Sequence, residues 1–486
     1  MDFNKIPVII QRYTFDSIME QCAYYSKKCM NTKILSSHEG DDTIFPWELE
    51  VIALFAVMRE KEYKFDTFEG KIFKEIVNCI RNYDHPKLSQ KPVDINWARD
   101  FFMVTGLIQF PSQESICHKF YRYNYFFNFE NDKLNLKDKF NSYFQASYSD
   151  FMMLAIILHF LYTPKIQNKT FLINTINYLY QRYTKAFIQL IISKENFVKM
   201  QYAFSNDIDS YYYSFKYFYQ YPFIEYHGRV YFPLPHLLSN ATTDSLLYRL
   251  TDGDNDLRNL IGKEVIESYL YKILNDSKVY DEIYSEKTYK INRQEAKSPD
   301  VLVRTKNYCI LYDTKSSVPS TGLREFDTLK IEKLVNIYAD TIKQMYNQIT
   351  RFHLYNPFDC EYEIEQHNIF GIVVILEDSN MLRDSIYMNA AEKLKIDLES
   401  TEYIFLRSNI VLLSLNEVEK FSLYSTNMIT CLIERRNHPE KWNDLIMSGP
   451  KENTKSKEFT EFLSSIRNSY KDFIEELKGK GFFDLE

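Results

Sequence analysis

The chain of 486 residues has only 11 glycines, and the glycine patterns of nucleotide-binding loops do not occur in it. Because neither G-x-x-x-x-G-K-[ST] nor G-x-G-x-x-G is present, we expect no P-loop nucleotide site. The 9 histidines form no H-E-x-x-H pattern, which excludes a zinc site of that type.

The 7 cysteines are odd in number and include no C-x-x-C pair, so they predict neither a zinc site of that spacing nor a disulfide framework. The start of the chain, MDFNK, lacks the basic-then-apolar layout of a signal peptide. The longest apolar run, residues 151–162, is too short to cross a bilayer and predicts a buried helix. We therefore expect a cytoplasmic protein without a membrane segment.

Composition is otherwise that of a globular protein, with 45% hydrophobic and 26% charged residues. The length predicts two or three domains. The chain has 39 tyrosines and 37 phenylalanines. Because such abundance can reflect nucleotide composition bias, we assign these residues no special function and interpret them as core and helix-face residues. The net charge of −7 is not that of a protein that coats nucleic acid.

Two short apolar segments contain the most informative charges. The segment 298–303 has the sequence SPDVLV, and the segment 309–316 has the sequence CILYDTKS. Both predict strands, and the polar connection RTKN between them has the size of a hairpin turn. Asp300 begins the first strand, and Asp313 and Lys315 end the second on one of its faces. Three charged side chains should therefore meet at one end of a small sheet.

These residue types are those of metal-assisted phosphodiester hydrolysis. Two carboxylates can hold a hard divalent cation, and a lysine can orient water or stabilise charge on a phosphate. The alternative is structural: Asp300 caps a turn after Pro299, and Asp313 and Lys315 form a surface ion pair.

Pro299-Asp300 followed by Asp313-Thr314-Lys315 resembles the motif of the PD-(D/E)XK nuclease superfamily, whose restriction-endonuclease-like core runs helix, three strands, helix, strand. The sequence predicts the same order over residues 255–380, about a quarter of the chain. The predicted elements are a helix over 256–275, a strand over 283–291, the two motif strands, a helix over 329–352 and a strand over 370–376. The resemblance implies that Asp300 and Asp313 bind Mg²⁺ or Mn²⁺ and that Lys315 is catalytic.

The family usually adds an acid from the first helix. Glu267 has the sequence setting that resembles this position, although Gly262 is one residue farther from it than is typical. Glu264, one turn earlier, is the alternative. The family often has a glutamine on the second helix, for which Gln344 and Gln348, beside Lys343, are weak matches. For either residue alone, a solvent-facing amide is the favoured explanation.

Three regions follow from the pattern along the chain. Residues 1–250 are predicted to be a mostly helical recognition or regulatory region, with helices over 47–61, 69–83, 149–162 and 172–200 and a hairpin over 222–235. Residues 251–415 form the nuclease-like domain after a polar break at 251–256, with an edge strand over 410–415. Residues 416–486 are predicted to be a helical region packed on the core. The fold class is thus α+β, a mixed sheet flanked by helices.

The expected activity is that of a Mg²⁺-dependent endonuclease of the PD-(D/E)XK type. From Glu286 to Arg351 the chain has twelve Lys and Arg against eight Asp and Glu, a local charge of +4 that favours phosphate contacts. The expected partner is nucleic acid, with DNA favoured, and the N-terminal region could bind a protein partner or a second copy. The resemblance makes antiviral defence in a prokaryote a plausible context. An RNase with the same site and a catalytically inactive, nucleic-acid-binding or interaction scaffold of this fold remain alternatives.

Overall fold

The structure is a computed structural model. It describes residues 3–29, 44–59, 68, 70–84, 89, 92–109, 114–162, 169–204, 208–212, 216–291, 293–316, 323, 327–354, 358, 364–378, 381–441 and 454–480. The architecture is mixed α and β, as the sequence predicted, with a large helical N-terminal part.

The chain divides into two compact units. One unit comprises residues 1–90, 108–252 and 464–486, and the other comprises 91–107 and 253–463. The division after Asp252 lies in the polar stretch 251–256, where Asp252, Gly253 and Asp254 are exposed. The sequence-based description of 416–486 as one region differs from this division, because 416–463 groups with the second unit and 464–486 with the first.

The first unit is built mainly from helices whose apolar faces form its core. Its α-helices up to residue 252 are Ile6–Ile10, Phe15–Cys29, Pro46–Met58, Gly70–Arg81, Ile116–Phe127, Leu136–Phe144, Tyr148–Leu161, Lys169–Arg182, Thr184–Ile188, Lys194–Phe204, Lys216–Gln220, Leu238–Ala241 and Asp244–Leu250. The helix predicted over the apolar run 151–162 is confirmed, and nearly all of its apolar side chains are buried. Short 3-10 helices occur at Phe3–Lys5, Asp209–Tyr212 and Pro235–Leu237.

A three-stranded sheet interrupts this helical unit. Its strands are β1 (Ile191–Ser193), β2 (Phe223–Tyr226) and β3 (Arg229–Tyr231) in the order β1-β2-β3. The hairpin predicted over 222–235 is confirmed, and its turn has positive φ at Gly228. The single helix predicted over 172–200 is wrong, because the apolar residues of β1 pair in parallel with β2 instead of continuing a helix.

The second unit surrounds a larger sheet with helices. Its described α-helices are Asn255–Leu260, Glu267–Ser277, Thr328–Leu354, Asp384–Leu394, Thr401–Asn409, Leu415–Ser422, Ile429–Asn437 and nearly all of Ile95–Gln109, whose last two residues fall in the first unit. A π-helix lies at Ile261–Ile266, and 3-10 helices lie at Gln366–Asn368 and Pro439–Lys441. The C-terminal helix, Lys457–Gly479, begins in the second unit and ends in the first.

Five strands form the central sheet of the second unit. They are β4 (Glu282–Ser285), β7 (Val301–Arg304), β8 (Cys309–Lys315), β9 (Ile369–Ile375) and β10 (Ile410–Ser414). The order is β10-β9-β8-β7-β4. The sheet is mixed, since β4, β7 and β8 pair antiparallel while β8, β9 and β10 pair parallel. The predicted edge strand near 410–415 is confirmed as β10.

The long helix Thr328–Leu354 packs directly against the middle of this sheet, and a glycine allows the close approach. A Cβ atom on Gly371 of β9 would lie 2.3 Å from Cγ of Met345 and 3.2 Å from Cδ1 of Ile349. Every residue of β9 is buried, which explains its continuous apolar sequence.

One strand prediction needs correction. The sequence predicted a single strand over 283–291, whereas the chain leaves the central sheet after β4. It then forms a separate antiparallel pair, β5 (Thr288–Ile291) and β6 (Gln294–Lys297), before returning to β7. Alternating polar and apolar residues suit a two-stranded hairpin as well as one long strand, so the pattern alone could not separate them.

No single helix in the described ranges is long and apolar enough to cross a membrane. One pair, Leu136–Phe144 and Tyr148–Leu161, bent by 65°, meets the length and composition criterion together. None of the six described cysteines forms a disulfide.

Candidate functional site

The two motif aspartates are brought together by the register of β7 and β8. Val301 pairs with Tyr312, so continuing the antiparallel ladder by one residue sets Asp300 opposite Asp313. Asp300 immediately precedes the paired residues of β7, and the charge of Asp313 acts on its carboxyl. The hairpin therefore brings two carboxylates near each other at one end of the central sheet.

Asp300 is oriented by the residue that lies between the other two motif positions. Its Oδ2 atom accepts a hydrogen bond from the backbone N–H of Thr314 at 2.6 Å and another from the Thr314 hydroxyl at 2.8 Å. These bonds fix one oxygen of the carboxylate and tie the start of β7 to the end of β8. Sequence analysis identified Thr314 only as the variable position of the motif.

Lys315 and Asp313 form an ion pair on one face of β8. Lys315 Nζ lies 2.8 Å from Asp313 Oδ2, as the two-residue spacing predicted. The Asp313 side chain is 4% exposed and the Lys315 side chain 30%, so the ammonium can reach solvent while the carboxylate is enclosed. A negative charge in this position needs a cation beside it.

Burial and charge repulsion both act on Asp300. Burial, followed by the negative charge of Asp313, raises the pKa of Asp300 to about 6, although hydrogen bonds from Thr314 and the charge of Lys315 oppose the rise. The free energy that disfavours two adjacent carboxylates in a partly buried place is what a bound cation would remove.

Glu267 begins the helix Glu267–Ser277, directly after the π-helix Ile261–Ile266. A Cβ atom on Gly262 would lie 3.0 Å from both Cβ and Oγ of Ser316, the residue that follows β8. The absence of a side chain at Gly262 thus lets this helix approach the end of β8. A π-helical turn also accommodates one extra residue in a helix, and such turns are frequent at functional sites.

The Glu267 carboxyl lies in the electrostatic field of the aspartates. Burial, then the charges of Asp300 and Glu286, raise the pKa of Glu267 to about 8, with a smaller contribution from Asp313. Lys263 opposes this rise. Glu264, the alternative helix acid, is half-buried within the π-helical segment.

Two residues that sequence analysis missed also reach this end of the sheet. Glu286 follows β4, and Lys297 ends β6; Lys297 Nζ lies 3.0 Å from both carboxylate oxygens of Glu286. The hydrogen bond that Lys297 donates to Glu286 raises the pKa of Lys297, and the charges of Glu267 and Asp300 add to the rise. The pairing of Ser285 with Val301 places Glu286 at the motif end of β7, and the hairpin β5–β6 brings Lys297 back beside Glu286. Both arrangements depend on strand pairing, which the sequence analysis did not predict for this segment.

The weaker candidates on the long helix have different surroundings. Lys343 Nζ donates to the backbone oxygen of Lys393 at 3.2 Å. Gln344 is exposed. Gln348 is buried, and its side-chain oxygen accepts no hydrogen bond from a described residue.

The donor set suits a hard divalent cation, because carboxylate oxygens are the ligands that Mg²⁺ and Mn²⁺ prefer. Asp300 and Asp313 supply two neighbouring carboxylates, and Glu267 lies close enough for both of their charges to raise its pKa. The described side chains include no group of three or more His, Cys, Asp or Glu already gathered closely enough to hold a metal. Asp300, Asp313 and Glu267 are the residues that would hold such a cation, and it would supply Lewis acidity there.

Compared with known proteins, the chain matches no family model, no curated protein and no solved structure.

Proposed function

We propose that this protein is a metal-dependent nuclease that hydrolyses phosphodiester bonds, with DNA as the expected substrate. The observation that carries the proposal is the closeness of Asp300 to Asp313 and Thr314 at the end of the paired strands β7 and β8, with the half-exposed Lys315 bound to Asp313. In the proposal Asp300, Asp313 and Glu267 hold Mg²⁺ or Mn²⁺, and Lys315 acts on the substrate.

The charge balance of the site supports a bound cation. Lys315 is the counter-charge of two partly or fully buried aspartates. The pKa of Asp300 is nevertheless raised, so the charge of Lys315 does not cancel the repulsion between the two carboxylates. A divalent cation supplies Lewis acidity toward a phosphate oxygen and lowers the pKa of a bound water. Thr314 keeps one oxygen of Asp300 fixed through two hydrogen bonds, and in the proposal the other oxygen binds the cation.

Lys315 has the position expected of a group that acts on a phosphate. Its ammonium is partly exposed and sits at the open end of the pair, so it can exchange Asp313 for a phosphate oxygen or for the attacking water. A fixed positive charge there stabilises the negative charge that develops on the phosphorus substituents. Asp313 holds the ammonium on the correct face until substrate arrives.

The order of elements supports the proposed restriction-endonuclease-like core. A helical stretch over 255–277 precedes β4, β7 and β8, and the helix Thr328–Leu354 leads to β9. This is the succession of helix, three strands, helix and strand that the motif's resemblance implies. The π-helix Ile261–Ile266 gives a physical account of the additional residue between Gly262 and Glu267.

The substrate and context rest on charge and on the resemblance. The local charge of +4 over 286–351 favours a phosphate backbone near the site, while the overall charge of −7 disfavours indiscriminate binding. Such a balance suits an enzyme gated by a partner or by assembly, and antiviral defence in a prokaryotic cytoplasm is the setting we propose.

The test is incubation of the purified chain with plasmid DNA, linear DNA and RNA, each with Mg²⁺, Mn²⁺ or chelator. We expect metal-dependent cleavage that Asp300→Asn abolishes. Asp281→Asn is the matched control, because Asp281 is an exposed aspartate immediately before β4. Cleavage that persists in chelator, or that Asp300→Asn leaves unchanged, would refute the assignment, and cleavage of RNA alone would favour the RNase.

One observation favours a second candidate, a nucleic-acid-binding or interaction scaffold without catalysis. Lys315 already lies 2.8 Å from Asp313 as a counter-charge, and the described side chains include no group of three or more carboxylates close enough together to hold a metal. A scaffold would bind nucleic acid without binding a divalent cation at Asp313, so metal binding separates the two candidates.

A further inference from the structure

We propose that the exposed face of the hairpin β5–β6 binds the phosphate backbone of the nucleic acid beside the aspartate pair, through Lys290, Arg293 and Lys297. This inference rests on the proposed function for the place of the reaction, but it concerns a surface outside the motif. We call these three residues the hairpin cations.

The register of the hairpin sets its charged residues on one face. Thr288 pairs with Lys297, and Lys290 pairs with Glu295. Directly paired residues of an antiparallel ladder share a face, and so do residues two apart along a strand. All four of these residues are exposed, so the face is open to a ligand.

The opposite face is turned toward the protein. Tyr289, Ile291 and Ala296 are half-buried, and the charge of Arg351 acts on the Tyr289 hydroxyl. Below the hairpin, Lys287 Nζ lies 5.9 Å from the ring centre of Phe358. The hairpin therefore has one packed side and one charged side.

The base of the hairpin is fixed to the motif. The backbone N–H of Lys287 donates to Ser298 Oγ at 2.7 Å, and the backbone N–H of Ser298 donates to the carbonyl oxygen of Lys287 at 2.9 Å. Ser298 is buried and immediately precedes Pro299 and Asp300. A ligand held on the charged face would thus be positioned relative to Asp300.

Lys297 connects this face with the carboxylates. Its ammonium pairs with Glu286, and its charge also interacts with Glu267 and Asp300. The Lys297 side chain is 58% exposed, so its ammonium can exchange Glu286 for a phosphate oxygen at little cost, because exposed ion pairs contribute little to stability. Lys290, two residues along the neighbouring strand from Thr288, extends the positive charge away from the site by about 7 Å.

Arg293 occupies the connection between the strands in an unfavourable backbone conformation. Its φ is 70°, a region that side chains other than glycine and asparagine seldom adopt. Glycine at this position would avoid the backbone strain that arginine introduces. In the proposal, a charged hydrogen bond from Arg293 to a phosphate at the tip of the hairpin offsets that strain.

The experiment is titration of labelled DNA and RNA duplexes with the full-length chain in chelator, followed by fluorescence anisotropy over a series of salt concentrations. We expect Lys290→Gln/Arg293→Gln/Lys297→Gln to bind more weakly. The slope of log K against log salt is negative, and it should become less steep by about 0.9 for each phosphate of duplex DNA that the variant no longer neutralises. Both nucleic acids share the phosphate backbone, so the two arms reveal which of them this face prefers.

Two controls match the substituted side chains. Lys306→Gln removes an exposed lysine from the β7–β8 turn, at the other end of these strands, and should leave binding unchanged. Glu295→Gln removes the opposing charge from the same hairpin face and should tighten binding. Since every substituted side chain is exposed, the thermal unfolding temperature should stay close to that of the wild type.

Failure of this inference is distinguishable from failure of the proposed function. If the triple variant binds with wild-type affinity and salt dependence, the hairpin surface is refuted even where the wild type cuts nucleic acid with Mg²⁺. If the wild type does not bind in chelator, it is refuted as well. Loss of binding in the triple variant, together with a wild type that never cuts, would support the hairpin surface and remove the catalytic proposal.

Discussion

The Asp300 carboxylate accepts two hydrogen bonds from Thr314, the residue between Asp313 and Lys315. The first motif position is therefore oriented by the second motif segment itself. The variable position of the motif thus acts as a positioning residue, which leads to the first prediction.

Thr314→Val should weaken metal-dependent cleavage without abolishing it. The substitution keeps the shape and the backbone hydrogen bond but removes the hydroxyl donor to Asp300. A hydrogen bond to a charged group contributes about 1.5–3 kcal/mol, so we expect roughly a tenfold loss or more. The pKa of Asp300 should rise further, and the loss should shrink at higher pH. Thr305→Val, in the turn at the other end of these strands, is the control, and equal activity of the two variants would contradict the prediction.

Lys315→Met should separate catalysis from metal binding. Methionine keeps much of the apolar stem and removes the charge. Metal should still bind, since a nearby positive charge is gone, while cleavage should fall by roughly 10²–10³-fold, the loss typical of one preorganised electrostatic group. Metal titration and cleavage rates measured on the same preparation give both quantities. A variant that cuts normally, or that unfolds, would show Lys315 to be a surface or structural residue.

Glu267→Gln should reduce cleavage more than Glu264→Gln. Glu267 interacts with Asp300 and Asp313, so its removal should raise the Mg²⁺ concentration needed for half-maximal activity. Glu264 lies one turn earlier, within the π-helical segment, and serves as the matched acid. Mg²⁺ titrations of cleavage rate compare the two variants, and the reverse order would show that the helix register is misassigned.

The stability of the metal-free protein should fall as these carboxyls ionise. In the folded protein the pKa of Glu267 is about 8 and that of Asp300 about 6, above the ordinary values of 4.5 and 3.8. The folded state therefore binds more protons than the unfolded state between those limits. This contribution to stability is full below the unfolded pKa values and is lost as pH rises through the folded ones.

Thermal unfolding in chelator at a series of pH values measures this loss. The unfolding temperature of Glu267→Gln, measured relative to that of the wild type, should increase as pH rises from about 5 to 8, because the variant lacks the ionising group. A constant difference between the two proteins over this range would show that the Glu267 pKa is not raised by folding.

The strands, the helices and the motif of the second unit could be predicted because each has a local signature. The apolar runs of β7, β8 and β9 and the helical spacing of 329–352 correspond to the observed elements within a few residues. The pairing of Asp313 with Lys315 follows from their two-residue spacing. The opposition of Asp300 and Asp313 depends on the hairpin register, which becomes definite once the turn is known.

Other features depend on contacts between distant segments. Glu286 reaches the site because β4 pairs with β7, and Lys297 meets Glu286 because β5 and β6 form their own hairpin. The strand β1 interrupts the helix predicted over 172–200 because it pairs with β2. Since β2 lies some thirty residues farther along the chain, this pairing leaves no local signal. The close approach of Gly262 to Ser316 likewise cannot be seen in either local sequence. In each case tertiary pairing overrides the local preference.

The most direct test of the central claim is isothermal titration of the wild type and Asp313→Asn with Mn²⁺ and Mg²⁺. The substitution keeps the volume of a buried side chain and removes its charge, so the variant should fold. We predict that the wild type binds the cation and that Asp313→Asn does not at concentrations that saturate the wild type, with circular dichroism unchanged. Equal binding by both proteins, or no binding by the wild type, would contradict the account.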